Sequence, residues 1–178
     1  MDYYTAVDDL NKEGETGAGM VGFTSFNSAC FYRYACIDWD QLVVNLRGDK
    51  DLAKTTVEAF LRAAIEAVPS GKQKSFAANN PPCFMLGTVR ENNQGWSLAN
   101  AFEVPIRANY DGGNIIPSIE AIDQYWDRLV KVYNNEAARC VVCLSIEKNA
   151  SLFALSSSIV DDFNTWVGKI LSALPAGG

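Results

Sequence analysis

With 178 residues, 48% of them hydrophobic, the chain is long enough for one sizeable core. Fifteen Lys and Arg against 21 Asp and Glu leave a formal charge of −6, which argues against a free-standing protein drawn onto nucleic acid by bulk positive potential. Histidine is absent, which excludes a Ser-His-Asp triad, a Cys-His dyad and an HExxH zinc site.

The opening, Met1-Asp2-Tyr3-Tyr4-Thr5, has neither the basic flank nor the apolar run of a signal peptide. Strong aromatic signals within three residues of Met1 read as a start inside an element, as in a fragment of a larger fold. Glu13 to Gly22 reads as a Gly-rich loop, and the aromatic run Phe23 to Cys36 predicts a strand. Val57, Phe60, Leu61, Ala64, Ile65 and Val68 form one helical stripe, with Asp51 at its start and Pro69 at its end. A loop from Pro69 to Pro82 leads to a strand over Phe84 to Val89, and Glu91 to Trp96 and Ala108 to Pro117 read as loops. Ile119, Ile122, Trp126, Leu129, Val130 and Tyr133 mark a second helix, started by Pro117-Ser118 and stopped by Asn134-Asn135. Arg139 to Ile146 predicts a strand, and after Ser156-Ser157-Ser158 a third helix aligns Ile159, Phe163, Trp166, Val167, Ile170 and Leu174. Three amphipathic helices laid on a sheet make an α/β or α+β layer fold in a single domain. No stretch approaches the roughly 18 to 20 apolar residues of a membrane span. Five irregularly spaced cysteines do not make a secreted disulfide framework, so a soluble, cytoplasmic protein is expected.

Few motifs carry chemistry. Gly17-Ala18-Gly19-Met20-Val21-Gly22 matches G-x-G-x-x-G but lacks the preceding strand and following helix that would hold a pyrophosphate, and reads as a flexible loop. Gly71-Lys72 is not a P-loop, because Glu66 replaces the first glycine. Cys140 and Cys143 flank two valines, so a strand would send the thiols to opposite faces, as two buried residues and not a metal or redox pair. Asp8-Asp9 and Asp161-Asp162 read as solvated or helix-start charges. No cofactor is expected. What remains is aromatic and basic: Tyr3-Tyr4, Phe31-Tyr32-Arg33-Tyr34 on a strand, Lys72-Gln73-Lys74 and Arg107. Aromatic rings stack on bases and cations neutralise phosphates, the two demands of single-stranded nucleic acid.

Tyr3-Tyr4-Thr5-Ala6-Val7-Asp8-Asp9-Leu10, Phe31-Tyr32-Arg33-Tyr34-Ala35, Gly71-Lys72-Gln73, Ala99-Asn100-Ala101-Phe102-Glu103, and Pro117-Ser118-Ile119 with Gln124-Tyr125-Trp126-Asp127-Arg128 keep an order and spacing that resemble the C-terminal half of the CasC backbone subunit family of type I-E CRISPR Cascade. The resemblance runs nearly end to end. It implies an α+β fold: a partial RNA-recognition-motif-like (ferredoxin-like) palm with helices on one face, and a thumb hairpin. Residues 1–36 would form the thumb and its return strand, and 37–178 the C-terminal half of the palm. It implies a non-catalytic subunit that lines up in several copies along a guide RNA, with target DNA, other copies of itself and other Cascade subunits as partners and no membrane. Base pairing then carries sequence specificity, and head-to-tail contacts build a filament. Tyr3, Tyr4, Thr5 and Val7, with Met20 and Val21 on the return arm, fall where the family's thumb wedges against bases. Arg107 matches a lysine implicated in holding target DNA, with Asn109 replacing its neighbouring lysine, and Lys72 and Lys74 match basic loop residues of the palm, which makes them candidate backbone contacts. The family's N-terminal half, with the first palm strands and most phosphate-binding cations, is not in this sequence. The alternative is a truncated homologue that docks on backbone subunits and inhibits or regulates assembly; an unrelated single-strand binder is a third reading.

Overall fold

The computed structural model describes residues 2–5, 18–22, 29–68, 77–92, 94–108 and 112–175, the first two stretches as backbone. Asp2–Thr5 (β1) and Ala18–Gly22 (β2) pair antiparallel. Ala18 to Gly22, expected in a loop, is therefore strand. Residues 29–36, expected to be strand, are exposed and carry no regular structure. Their aromatic rings are used instead as anchors on another segment, described below. Positions 23–28 of that expected strand lie outside the described residues.

Two helices follow back to back. Trp39–Asn45 (α1), which no sequence signal above had marked, is capped by Asp38, whose carboxylate accepts from the Gln41 N–H at 3.0 Å. Its end is a Schellman turn: the Gly48 N–H donates to Val43 C=O and the Arg47 N–H to Val44 C=O, with Arg47 at φ 58°. Lys50–Glu66 (α2) is capped by Asp49, not Asp51, through the Leu52 N–H at 2.8 Å. An N-cap must sit outside the helical turn whose donors it satisfies, and Asp51 is already inside it.

The core forms around the antiparallel ribbon of Phe84–Arg90 (β3) and Ala138–Ser145 (β4). Side chains alternate across a ribbon, so each strand feeds two clusters. Phe84, Leu86, Val141 and Cys143 pack with Ile122 and Trp126 of Ile115–Tyr133 (α3) and with Leu98 and Leu155. Met85, Val89, Cys140, Val142 and Leu144 pack with Trp166, Val167 and Ile170 of Phe163–Ala173 (α4), joined by Leu61 of α2. The fold is α+β, as expected, but the helices cover both faces of the ribbon and not one. Both faces of β3 and β4 are apolar, so each requires a cover. The thiol pair separates as the alternation requires: Cys143 is buried in the first cluster, and half-buried Cys140 lies against the second.

Gly87 stands opposite Val142, and a Cβ there would come within 2.5 Å of Ile170 Cδ1 and 2.9 Å of Trp166 Cζ2, so its lack of a side chain lets α4 approach the ribbon. Trp166 is fixed by its indole N–H, which donates to Val142 C=O at 3.2 Å. Asp123 of α3, fully buried, accepts from three successive backbone N–H groups, Phe153 at 2.9 Å, Ala154 at 3.3 Å and Leu155 at 2.8 Å. It clamps the 153–155 turn to α3 and seats Leu155 in the core. Helix α3 begins two residues before the Pro117-Ser118 signal, because Pro is tolerated throughout a first turn whose N–H groups have no helical partner. It ends at Asn134, with φ 56°. Ile159 is not in the third helix: it bridges to Cys143, and α4 starts after Asp162, which accepts from the Thr165 N–H at 2.9 Å. Among the described residues, no helix is long and apolar enough to cross a membrane.

Candidate nucleic-acid interface

Of the residues singled out by sequence, the β1–β2 hairpin brings five into one element. Tyr3 stands opposite Val21, Tyr4 opposite Met20, and Thr5 opposite Ala18, with a shift in register between Tyr4 and Thr5. Such irregularities bend a ribbon and increase its local twist. Val7, Lys72 and Lys74 lie outside the described residues. Arg107 is exposed in the irregular stretch after the 3₁₀ turn Ala99–Phe102, and no described contact joins it to the hairpin.

Phe31-Tyr32-Arg33-Tyr34 serves the fold more than a ligand. The Tyr32 hydroxyl accepts from the Leu98 N–H at 2.8 Å, and its ring meets Phe102 with centroids 5.7 Å apart. Arg33 donates to Ala67 C=O at the end of α2, at 3.1 Å. Tyr34, hydrogen-bonded to Cys36, lies against Gly95; desolvation by partial burial, then that bond, raises its phenol above the ordinary value. Of the three rings in the run, Phe31 stays mostly in water, at 81% exposure.

A second cluster was not marked as a site by sequence. Where the β3–β4 register shifts between Val89 and Arg90, the ladder passes over Arg139 and re-aims the chain. The Arg90 guanidinium lies 3.9 Å above the Trp96 ring and donates to Asn135 Oδ1 at 2.6 Å, while its Nε is buried without a partner. Desolvation pulls it below its ordinary value. Trp96 also meets Trp126 at 5.6 Å and Tyr133 at 6.5 Å. Trp96, Tyr133 and Tyr125 line an open groove of about 570 Å³ at the C-terminal end of α3, with Trp126 buried behind them in the core. Arg128 covers the Tyr125 ring at 5.3 Å, and Arg139 pairs with Glu91 at 2.5 Å. The signal available in sequence was Gln124-Tyr125-Trp126-Asp127-Arg128, in which two rings stand within three residues of a cation. Among the described residues no group of three His, Cys, Asp or Glu side chains is placed to hold a metal ion.

A family model described as CT1975-like protein matches residues 1–166. A solved chain from a CRISPR RNA-guided surveillance complex is similar over 97% of this chain and 64% of its own length, at 33% identity and a TM-score of 0.79. Another, from a surveillance complex in a pre-nicking state, is similar over 97% and 49%, at 32% identity and a TM-score of 0.77. The chain thus spans about half to two-thirds of these relatives. No curated protein matches it.

Proposed function

The chain belongs to the CT1975-like family, and from that premise we propose that it acts as part of a guide-RNA-binding backbone subunit of a CRISPR surveillance complex, corresponding to the C-terminal half of a type I-E CasC. The observation that carries the reading is the likeness to surveillance-complex chains along 97% of the sequence at 33% identity. In this reading the subunit is non-catalytic, assembles with other copies and other Cascade subunits in the cytoplasm, and presents the guide to target DNA. The hairpin is the thumb. Its Tyr3, Tyr4 and Thr5, with Val7 and the facing Met20 and Val21, wedge against bases, exchanging lost base stacking for aromatic and apolar contact. Lys72, Lys74 and Arg107 hold backbone phosphates. With a formal charge of −6 the chain has little bulk attraction to offer, so these local contacts carry the interaction.

Co-expression with the remaining subunits and a guide RNA tests this. The expected result is a complex that retains both chain and guide, in which Tyr4→Ala weakens target binding more than guide loading. Equal loss of both removes the wedge role. Shortened or poisoned complexes would instead support a decoy that docks and stops the backbone, and a chain that never enters the complex overturns both.

A further inference from the structure

We propose that the groove around Trp96 is a second stacking site, which takes one base of a single-stranded nucleic acid independently of the hairpin. The ring of Tyr133 at its mouth is 69% exposed, a large apolar face left in water. It meets Trp96 edge to face, and among the described residues no other ring lies on it. The volume of about 570 Å³ lies within the ordinary range for a small-ligand cleft.

Charge selects the occupant. The lining holds one cation, Arg90, and one carboxylate, Glu136, which already accepts from Asn134 Nδ2 at 2.6 Å; Arg128, seated on the Tyr125 ring beside the groove, tips the local balance positive. The pairs Lys131–Asp127 and Arg139–Glu91 are internally neutral. A cationic side chain would therefore face Arg90 in the lining and Arg128 beside it, whereas a phosphate would be attracted to both. The aliphatic lining is Leu129 and Ala137, too little floor for an amphipathic helix, while Asn92 and Gln94 offer amides to the edge of a base. A chain of net charge −6 can still hold such a site, because the contacts are short-range and stacking is not electrostatic steering. The choice of nucleic acid over other anions rests on the function proposed above.

The test is titration of the full chain into a labelled oligouridine at low ionic strength, with circular dichroism to confirm that each variant is folded. Tyr133→Ala is expected to weaken binding by about 5- to 100-fold and Tyr133→Phe by less than about twofold, since the ring face and not the hydroxyl stacks. Arg128→Gln should flatten the salt dependence. A 4-thiouridine probe should crosslink within residues 125–134. Unchanged affinity in Tyr133→Ala, crosslinks confined to other segments, or no binding by the wild-type chain overturns the assignment. So does a Tyr133→Ala variant that keeps its RNA affinity but loses co-purification with the other subunits, because the groove would then be a protein-docking surface. Loss of the groove site with assembly intact would leave the proposed function standing.

Discussion

Replacing Asp123 by Asn tests the clamp that joins α3 to the 153–155 turn with almost no change in volume. The carboxylate satisfies three backbone donors with two oxygens, Phe153 and Ala154 on Oδ2 and Leu155 on Oδ1. An amide has one acceptor oxygen. If that oxygen stays with Phe153 and Ala154, the new NH₂ faces the Leu155 N–H across a contact that was a 2.8 Å hydrogen bond. Two donors are then unsatisfied in a site of zero solvent exposure. At about 1–3 kcal/mol for each stranded group, Asp123→Asn should cost about 4 kcal/mol. With a urea m-value of about 2 kcal/mol/M, the midpoint should fall by about 2 M with m unchanged. Equilibrium urea unfolding followed by tryptophan fluorescence reads this directly. A fall of less than about 0.5 M would show that the three N–H bonds are not what holds the turn, and the clamp argument would be wrong.

Gly87→Val should be destabilising by about 1–3 kcal/mol in the same unfolding assay, since the added carbons must displace Ile170 and an indole already tied to Val142. Burial first, then the neighbouring Asp123 and Cys140, pushes the Cys143 thiol from an ordinary 9.0 up to about 12. Its folded pKa is raised, so its contribution to stability is intact below pH 9 and declines by about 1.4 kcal/mol per pH unit between the unfolded and folded values. In a thiol-labelling time course at neutral pH, exposed Cys30 and Cys36 should react first and Cys143 only on unfolding. Asp162 is held below the ordinary carboxylate range, first by the Thr165 hydroxyl and then by backbone N–H groups. The cap's contribution is thus present above the ordinary Asp pKa and lost as pH falls through the depressed value. Asp162→Asn should therefore show a shallower acid limb in pH-dependent melting than the wild-type protein.

The elements legible in sequence were those whose signal is local. The period of Ile119, Ile122 and Trp126 placed α3 because all three are buried along one helix, Ile122 and Trp126 in one core cluster. The β-branched and apolar runs placed β3 and β4, and the two valines between Cys140 and Cys143 were enough to separate the thiols. Helix α1 escaped because its seven residues make only two turns, so the stripe of Trp39, Leu42, Val43 and Leu46 at i, i+3, i+4 and i+7 is shorter than the window in which a period stands out. Its signal lay instead in Asp38 and Asp49 as successive caps with Gly48 between them. Phe31 to Tyr34 looked like strand because aromatic composition is shared by strands and by extended segments that dock through rings and hydroxyls.

Composition, period and capping thus determined the class of fold, two of the four strands among the described residues and most of three helices, because each depends on residues a few positions apart. Only the tertiary structure decided which face each helix covers, since that depends on how both sides of the β3–β4 ribbon are shielded from water. It also decided that Asp123 would meet a turn thirty residues away, and that Arg90, Trp96 and Tyr133 would share one groove. Contacts of that range are fixed by packing the whole chain, and no local pattern encodes them.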